Sequence, residues 1–86
     1  MMTLLEKRIR KCLEQRPLAY PEIEVLMPPD TGTLVLGLTL TRMVLAETLH
    51  MKGMDLKSGV WPVYSLRPIS KKFPLPKRDA LLANPR

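Results

Sequence analysis

Residues 39–66 read TLTRMVLAETLHMKGMDLKSGVWPVYSL, and the order of chemistries in that stretch decides the fold. From Thr39 to Lys52 no proline or glycine interrupts a helix. Thr39 is a residue type that caps a helix start, and Gly53 suits the left-handed conformation that ends one. Beyond it, Met54 to Lys57, Ser58-Gly59 and Val60 to Leu66 read as strand, tight turn and strand, with Val60, Trp61, Val63 and Tyr64 supplying the β-branched and aromatic side chains that strands favour. Pro62 cannot donate a ladder hydrogen bond, so its strand is expected at a sheet edge or bulged there. Trp61 and Tyr64, three residues apart, point to opposite faces, and one of them is expected to cover the core.

Working towards the N-terminus, Leu34-Val35-Leu36 is an apolar run that fits either a strand or the first turn of the following helix. Pro29-Asp30-Thr31-Gly32 reads as a turn. Pro21 to Met27 fits a short helix with proline in its first turn, Glu22 and Glu24 at the positive end of the dipole, and Pro28-Pro29 as its stop. Thr3-Leu4-Leu5-Glu6 is a capping-box pattern. It predicts a helix from Thr3 to near Arg16, where Pro17 intervenes, with Leu5, Ile9, Cys12 and Leu13 on one apolar face and Lys7, Arg8, Arg10 and Lys11 elsewhere. On the long helix, a rotation of 100° per residue groups Leu38, Leu45 and Leu49 on a core-facing stripe. Leu40, Val44, Glu47 and Met51 then fall on the opposite side. Leu40, Val44 and Met51 are accordingly expected as an exposed contact surface for a second copy or a larger protein partner.

The fold class that follows is α+β: three helices and a C-terminal two-stranded β-hairpin, followed by a basic, proline-rich tail. A chain of 86 residues has room for one domain, and 45% hydrophobic residues against 26% charged is the balance of a folded protein. The domain is expected to span residues 1–66. Residues 67–86 carry Pro68, Pro74, Pro76 and Pro85 among Lys71, Lys72, Lys77, Arg78 and Arg86 and are expected to be extended, with one or two helical turns at most over Asp79 to Asn84. Cys12 is the sole cysteine and His50 the sole histidine, so neither an internal disulfide nor a nitrogen- and sulfur-ligated zinc site can be assembled within the chain. No metal or other cofactor is expected. His50 is read as lying in the last turn of the long helix, a favourable place for a histidine. Glu22, Glu24, Asp30, Glu47 and Asp55 show no catalytic spacing, and no glycine-rich phosphate loop is present, so the expected protein is not an enzyme. Without an apolar run of about 20 residues it is expected in the cytoplasm and away from membranes.

The formal charge is +6, and it is segregated. Residues 1–16 carry +3, residues 17–56 carry −3 and residues 57–86 carry +6. A basic total of this kind suggests a polyanionic partner, nucleic acid before a membrane surface.

The order helix, short helix, longer helix, glycine, and a hairpin ending in aromatic residues resembles winged helix-turn-helix domains of the small phage and bacterial regulator type. The residues carrying the resemblance are Gly37-Leu38-Thr39, then Leu45, Leu49 and Lys52-Gly53-Met54, then Trp61 to Leu66, and the likeness spans roughly residues 3–67. It implies duplex DNA binding and transcription regulation, with the third helix in the major groove and the hairpin wing along the backbone. The positions it implies for contact are Thr39, Thr41, Arg42 and Thr48 on the helix and Lys57 and Ser58 at the wing tip. Arg8, Arg10 and Lys11 on the first helix, with Lys71, Lys72, Lys77 and Arg78 in the tail, are expected to add phosphate contacts. The alternative reading is an adaptor or inhibitor that grips a larger protein or nucleoprotein complex through Leu40, Val44 and Met51.

Overall fold

The computed structural model describes residues 3–53 and 59–77. Its elements run α1 (Leu4–Cys12), β1 (Leu18–Ala19), α2 (Tyr20–Leu26), α3 (Thr33–Leu45), β2 (His50–Lys52) and β3 (Val63–Ser65). The class is α+β, with three helices and a three-stranded antiparallel sheet in the order β1-β3-β2.

The capping box forms as the Thr-x-x-Glu pattern predicts: the Glu6 amide donates to Thr3 Oγ1 at 3.2 Å, and the Thr3 amide donates to Glu6 Oε1 at 2.7 Å. α1 stops at Cys12, short of the expected Arg16, and the amide of the buried Leu13 closes the helix on the carbonyls of Ile9 and Arg10. Glu14, Gln15 and Arg16 are exposed, so nothing apolar holds a further turn against the body, and Pro17 disfavours helical geometry at Arg16. α2 starts one residue earlier than its proline suggested. The Glu22 carboxylate reaches back to accept from the Ala19 amide at 2.9 Å. Glu24 then fastens α2 to the start of α3, accepting from Thr33 Oγ1 at 3.1 Å and from the Tyr20 hydroxyl at 3.4 Å.

The largest correction concerns α3. It begins at Thr33, immediately after Gly32 at φ 82°, so Leu34-Val35-Leu36 forms its first turn and Thr39 lies mid-helix. Thr39 is therefore no cap: it is buried, and its hydroxyl donates to the Val35 carbonyl at 2.7 Å. The helix ends at Leu45. Glu47, at φ 62°, takes the left-handed conformation expected of Gly53, and the amides of Thr48 and Leu49 both turn back to the Met43 carbonyl. The chain straightens six residues sooner than glycine placement suggested. His50 thus sits exposed in β2, outside any helix.

Extending α3 backwards also changes which face is inside. Leu36, Leu40 and Met43 are each at most 1% exposed, whereas Leu38 and Leu45 are 57% and 79% exposed. Leu40, expected on the solvent side, is thus in the core, and Leu38 and Leu45, expected in the core, are outside; Leu49 is buried and Glu47 exposed, as expected. Leu36, Leu40 and Met43 follow the i, i+4, i+7 spacing of one helical face. They pack with Ile9 of α1 and Leu13 at its end, Leu18 of β1, Ile23 and Met27 around α2, and Leu49 and Tyr64.

The sheet differs from the expected two-stranded hairpin. Its first long pairing uses His50–Lys52 against Val63–Ser65, with Met51 opposite Tyr64. A third strand, Leu18–Ala19, pairs on the other side of β3. Two residues are too few to show an alternating pattern in sequence. The strand read at Met54 to Lys57 falls outside the described residues. β3 is central, so its proline is not on an edge strand; Pro62 precedes the strand, and its carbonyl accepts from the Tyr20 amide at 3.0 Å. Tyr64 is the aromatic that enters the core, and Trp61 stacks on Tyr20 with centroids 6.2 Å apart.

Leu40→Ala is expected to lower the free energy of unfolding by about 2–5 kcal/mol, because it removes a side chain from a closed core. Leu38→Ala and Leu45→Ala should each change it by only about 0.5 kcal/mol. Urea unfolding followed by far-UV circular dichroism separates the two sets; equal losses at positions 38 and 40 would contradict the assigned helix face.

Candidate nucleic-acid interface

The outward surface of α3 is where the implied reading residues should converge. Thr41 and Arg42 are exposed there. Thr39 is removed from the surface, and Thr48 is half-buried beyond the end of the helix. The proposed protein-contact set also dissolves: Leu40 is fully buried, while Val44 and Met51 are half-buried and packed on the core. In their place Leu34, Val35, Leu38 and Leu45 are exposed by 74%, 52%, 57% and 79%. Leu34, Leu38 and Leu45 share one stripe, being four and then seven residues apart. Arg42 is the cation beside it on this helix and the exposed Thr41 lies within it, so the outer face of α3 is mainly apolar, with one hydroxyl and a single positive charge.

The α1 surface has the opposite character. Lys7, Arg8, Arg10 and Lys11 are all exposed, because burial of Ile9, Leu13 and the partly buried Leu5 and Cys12 fixes the helix rotation. Lys7, Arg10 and Lys11, with Glu14, line an open depression whose other wall is Leu66, just past the end of β3. Arg67, exposed, follows Leu66 in the chain. Arg16 pairs with Glu22 at 3.1 Å across Pro17, an ion pair that engages neither Lys7 nor Lys11. The Glu6 carboxyl is held below the usual carboxylate range, chiefly by the hydrogen bond from the Thr3 amide, and the charge of Arg42 adds to the effect. That coupling brings the Arg42 guanidinium within electrostatic reach of the first turn of α1.

Residues 70–77 lie against the end of the β2–β3 pair. Lys52 Nζ donates to the carbonyls of Ser70, Lys71 and Phe73 at 3.1, 2.7 and 2.7 Å. The Trp61 amide donates to the Pro76 carbonyl at 2.9 Å, and Val60 pairs antiparallel with Lys77. Gly53, at φ 91°, is in a conformation that favours glycine and is closely approached: a Cβ there would lie 3.1 Å from Leu75 Cδ1 and 3.2 Å from the Trp61 carbonyl. Lys52 therefore serves as a latch, its ammonium taken up by backbone carbonyls. Lys71, Lys72 and Lys77 remain exposed on the latched strap. Lys57, Ser58 and Arg78, and the short helix read at Asp79 to Asn84, fall outside the described residues.

The structure thus brings Lys7, Arg10 and Lys11 together, sets Arg42 near the start of the same helix, and withdraws Thr39 and Leu40 from the surface. Sequence reasoning gave Lys7 no contact role, although its i, i+3, i+4 spacing with Arg10 and Lys11 was visible. The latch role of Lys52 left no sequence signal, since its partners are carbonyls 18 to 21 residues away. Among the described residues no group of three or more His, Cys, Asp or Glu side chains gathers to hold a metal ion, and no helix is long and apolar enough to cross a membrane. No family model matches the chain, and comparison with curated proteins and with solved structures finds no match.

Lys52→Met, which keeps the apolar stem and removes the donors, is expected to cost about 1–2 kcal/mol of stability, at the low end for hydrogen bonds to a charged group in a half-exposed setting. Trypsin should then cut at Lys71-Lys72 faster than in the parent chain while far-UV circular dichroism stays unchanged. An unaltered cleavage rate would mean that the latch does not hold the strap.

Proposed function

We propose that this chain is a small, non-enzymatic DNA-binding regulatory protein of the winged helix-turn-helix type. The observation that carries the reading is the succession of three helices, the last followed by two antiparallel strands, β2 and β3, with the aromatic-bearing segment in the second of them. That succession is the basis of the resemblance in sequence, and it survives the shift of α3 by six residues. The segregated charge supports the same reading. Positive groups on α1 and on the strap lie at the surface, where they favour a polyanion, while residues 17–56, net −3, supply most of the core.

The test is binding of the full chain to a short duplex of arbitrary sequence, followed by fluorescence anisotropy across a salt series. If about four cations neutralise phosphates, affinity falls ~100-fold between roughly 50 and 200 mM salt. Absence of duplex binding at the lowest salt overturns the reading.

A second reading is favoured by one specific observation, the exposure of Leu34, Val35, Leu38 and Leu45 on the outer face of α3. On this reading the chain is an adaptor, and α3 buries those side chains against protein. Leu38→Glu places a charge in the centre of the stripe without touching the core. It is expected to abolish any concentration-dependent self-association seen by light scattering and to leave thermal stability unchanged; association that persists in the folded variant removes this reading for a homodimer.

A further inference from the structure

We infer that duplex DNA is held on α1, with one strand's phosphate backbone lying across Lys7, Arg10 and Lys11 beside Leu66, and that the outer face of α3 stays off the DNA. The inference rests on the DNA-binding reading and reverses which helix does the holding.

Three observations meet at this place. First, Lys7, Arg10 and Lys11 are neighbours on one side of a helix, about 5–6 Å apart at Cβ, and they line one depression together. Their long side chains let three positive groups meet successive phosphates of one strand. Second, the surroundings suit a phosphate backbone and not bases. The depression contains no aromatic side chain on which a base could stack, its apolar wall is Leu66 alone, and Glu14 is its sole carboxylate. Third, α3 offers a poor alternative. Leu34, Val35, Leu38 and Leu45 give nothing to hydrogen-bond with a base edge, and pressing them onto phosphates would strip water from the anions without replacing it. Arg42 lies on the exposed side of α3, outside the depression, and so reports on that helix in the test below.

The rotation of α1 that creates this surface is fixed by Ile9 at 0% and Leu13 at 3% exposure. The capping box tethers the same helix at its N-terminal end, through Thr3 and Glu6. The cations are therefore presented by a helix whose rotation is set by the core.

The experiment compares full-length wild type, Lys7→Gln/Lys11→Gln and Arg42→Ala for duplex binding by anisotropy over a salt series, with circular dichroism confirming that each variant folds. Both lysines are exposed, and glutamine keeps a similar helix propensity and a polar end while removing the charge. The double variant is expected to bind at least tenfold more weakly than wild type, to lose more affinity than Arg42→Ala, and to show a log–log salt slope shallower by about 2, close to one phosphate for each charge removed. If Arg42→Ala costs more than the double variant, or the salt slope is unchanged, DNA lies on α3 and the inference is overturned while the DNA-binding reading stands. If wild type binds no duplex at low salt, both fall. Polyglutamate and phosphatidylserine vesicles serve as competitors; displacement of DNA by either at equal charge concentration would show a surface that takes any polyanion, and would also overturn the inference.

Discussion

Burial of the Leu36, Leu40 and Met43 face of α3 is the constraint from which the rest of the molecule follows. Those three side chains are almost completely enclosed, and around them gather Ile9 of α1, Ile23 of α2 and Tyr64 of β3. Each neighbouring element is rotated to suit them. Ile9 and Leu13 turning inward forces Lys7, Arg10 and Lys11 outward, and Leu40 turning inward forces Leu38 and Leu45 outward. The cationic surface of α1 and the apolar surface of α3 are two consequences of one packing choice.

Hydrogen bonds at the ends of the elements then hold that arrangement. The capping box starts α1, Glu22 starts α2, and Glu24 links α2 to the first residue of α3. Lys52 closes the opposite end by drawing three carbonyls of the 70–73 segment onto β2. Of the positive charge, that of Lys52 is internal to the fold. The remainder described at the surface lies on α1, at Arg16, Arg42 and Arg67 and along the strap, so apart from Arg42 the positive charge sits on other elements than the apolar outer face of α3. A partner that is both anionic and extended suits the former, and a compact apolar surface suits the latter.

Much of this was written locally. Thr3 and Glu6 stand three residues apart and close a box that needs no distant contact, so α1 and its apolar face were legible. Pro21 with Glu22, followed by Pro28-Pro29, bounded α2 to within a residue at each end. The β-branched and aromatic run Val60 to Leu66 marked β3, which occupies Val63–Ser65 within it, and a mixed class with three helices followed from these pieces. The positive character of α1 was likewise readable from spacing alone.

What the sequence left open were the choices that local chemistry does not make. α3 has apolar residues on nearly every side, from Leu34 through Leu45, so periodicity cannot say which stripe is buried; the residues of α1 and α2 facing it decide. Its end was mislaid because Glu47 adopts a left-handed conformation usually left to glycine, held there by two amides turning back to Met43. β1 is a strand only because β3 lies beside it, and the strap is fastened only because Lys52 lies near carbonyls far along the chain. Sequence by itself determined the three helices, the strand around Val63 to Ser65 and the sign of each surface charge, because those depend on neighbours within a turn or two. Tertiary structure decided which face of α3 is hidden and therefore which chemistry the protein shows to a partner, because burial is a property of the residues that meet across space.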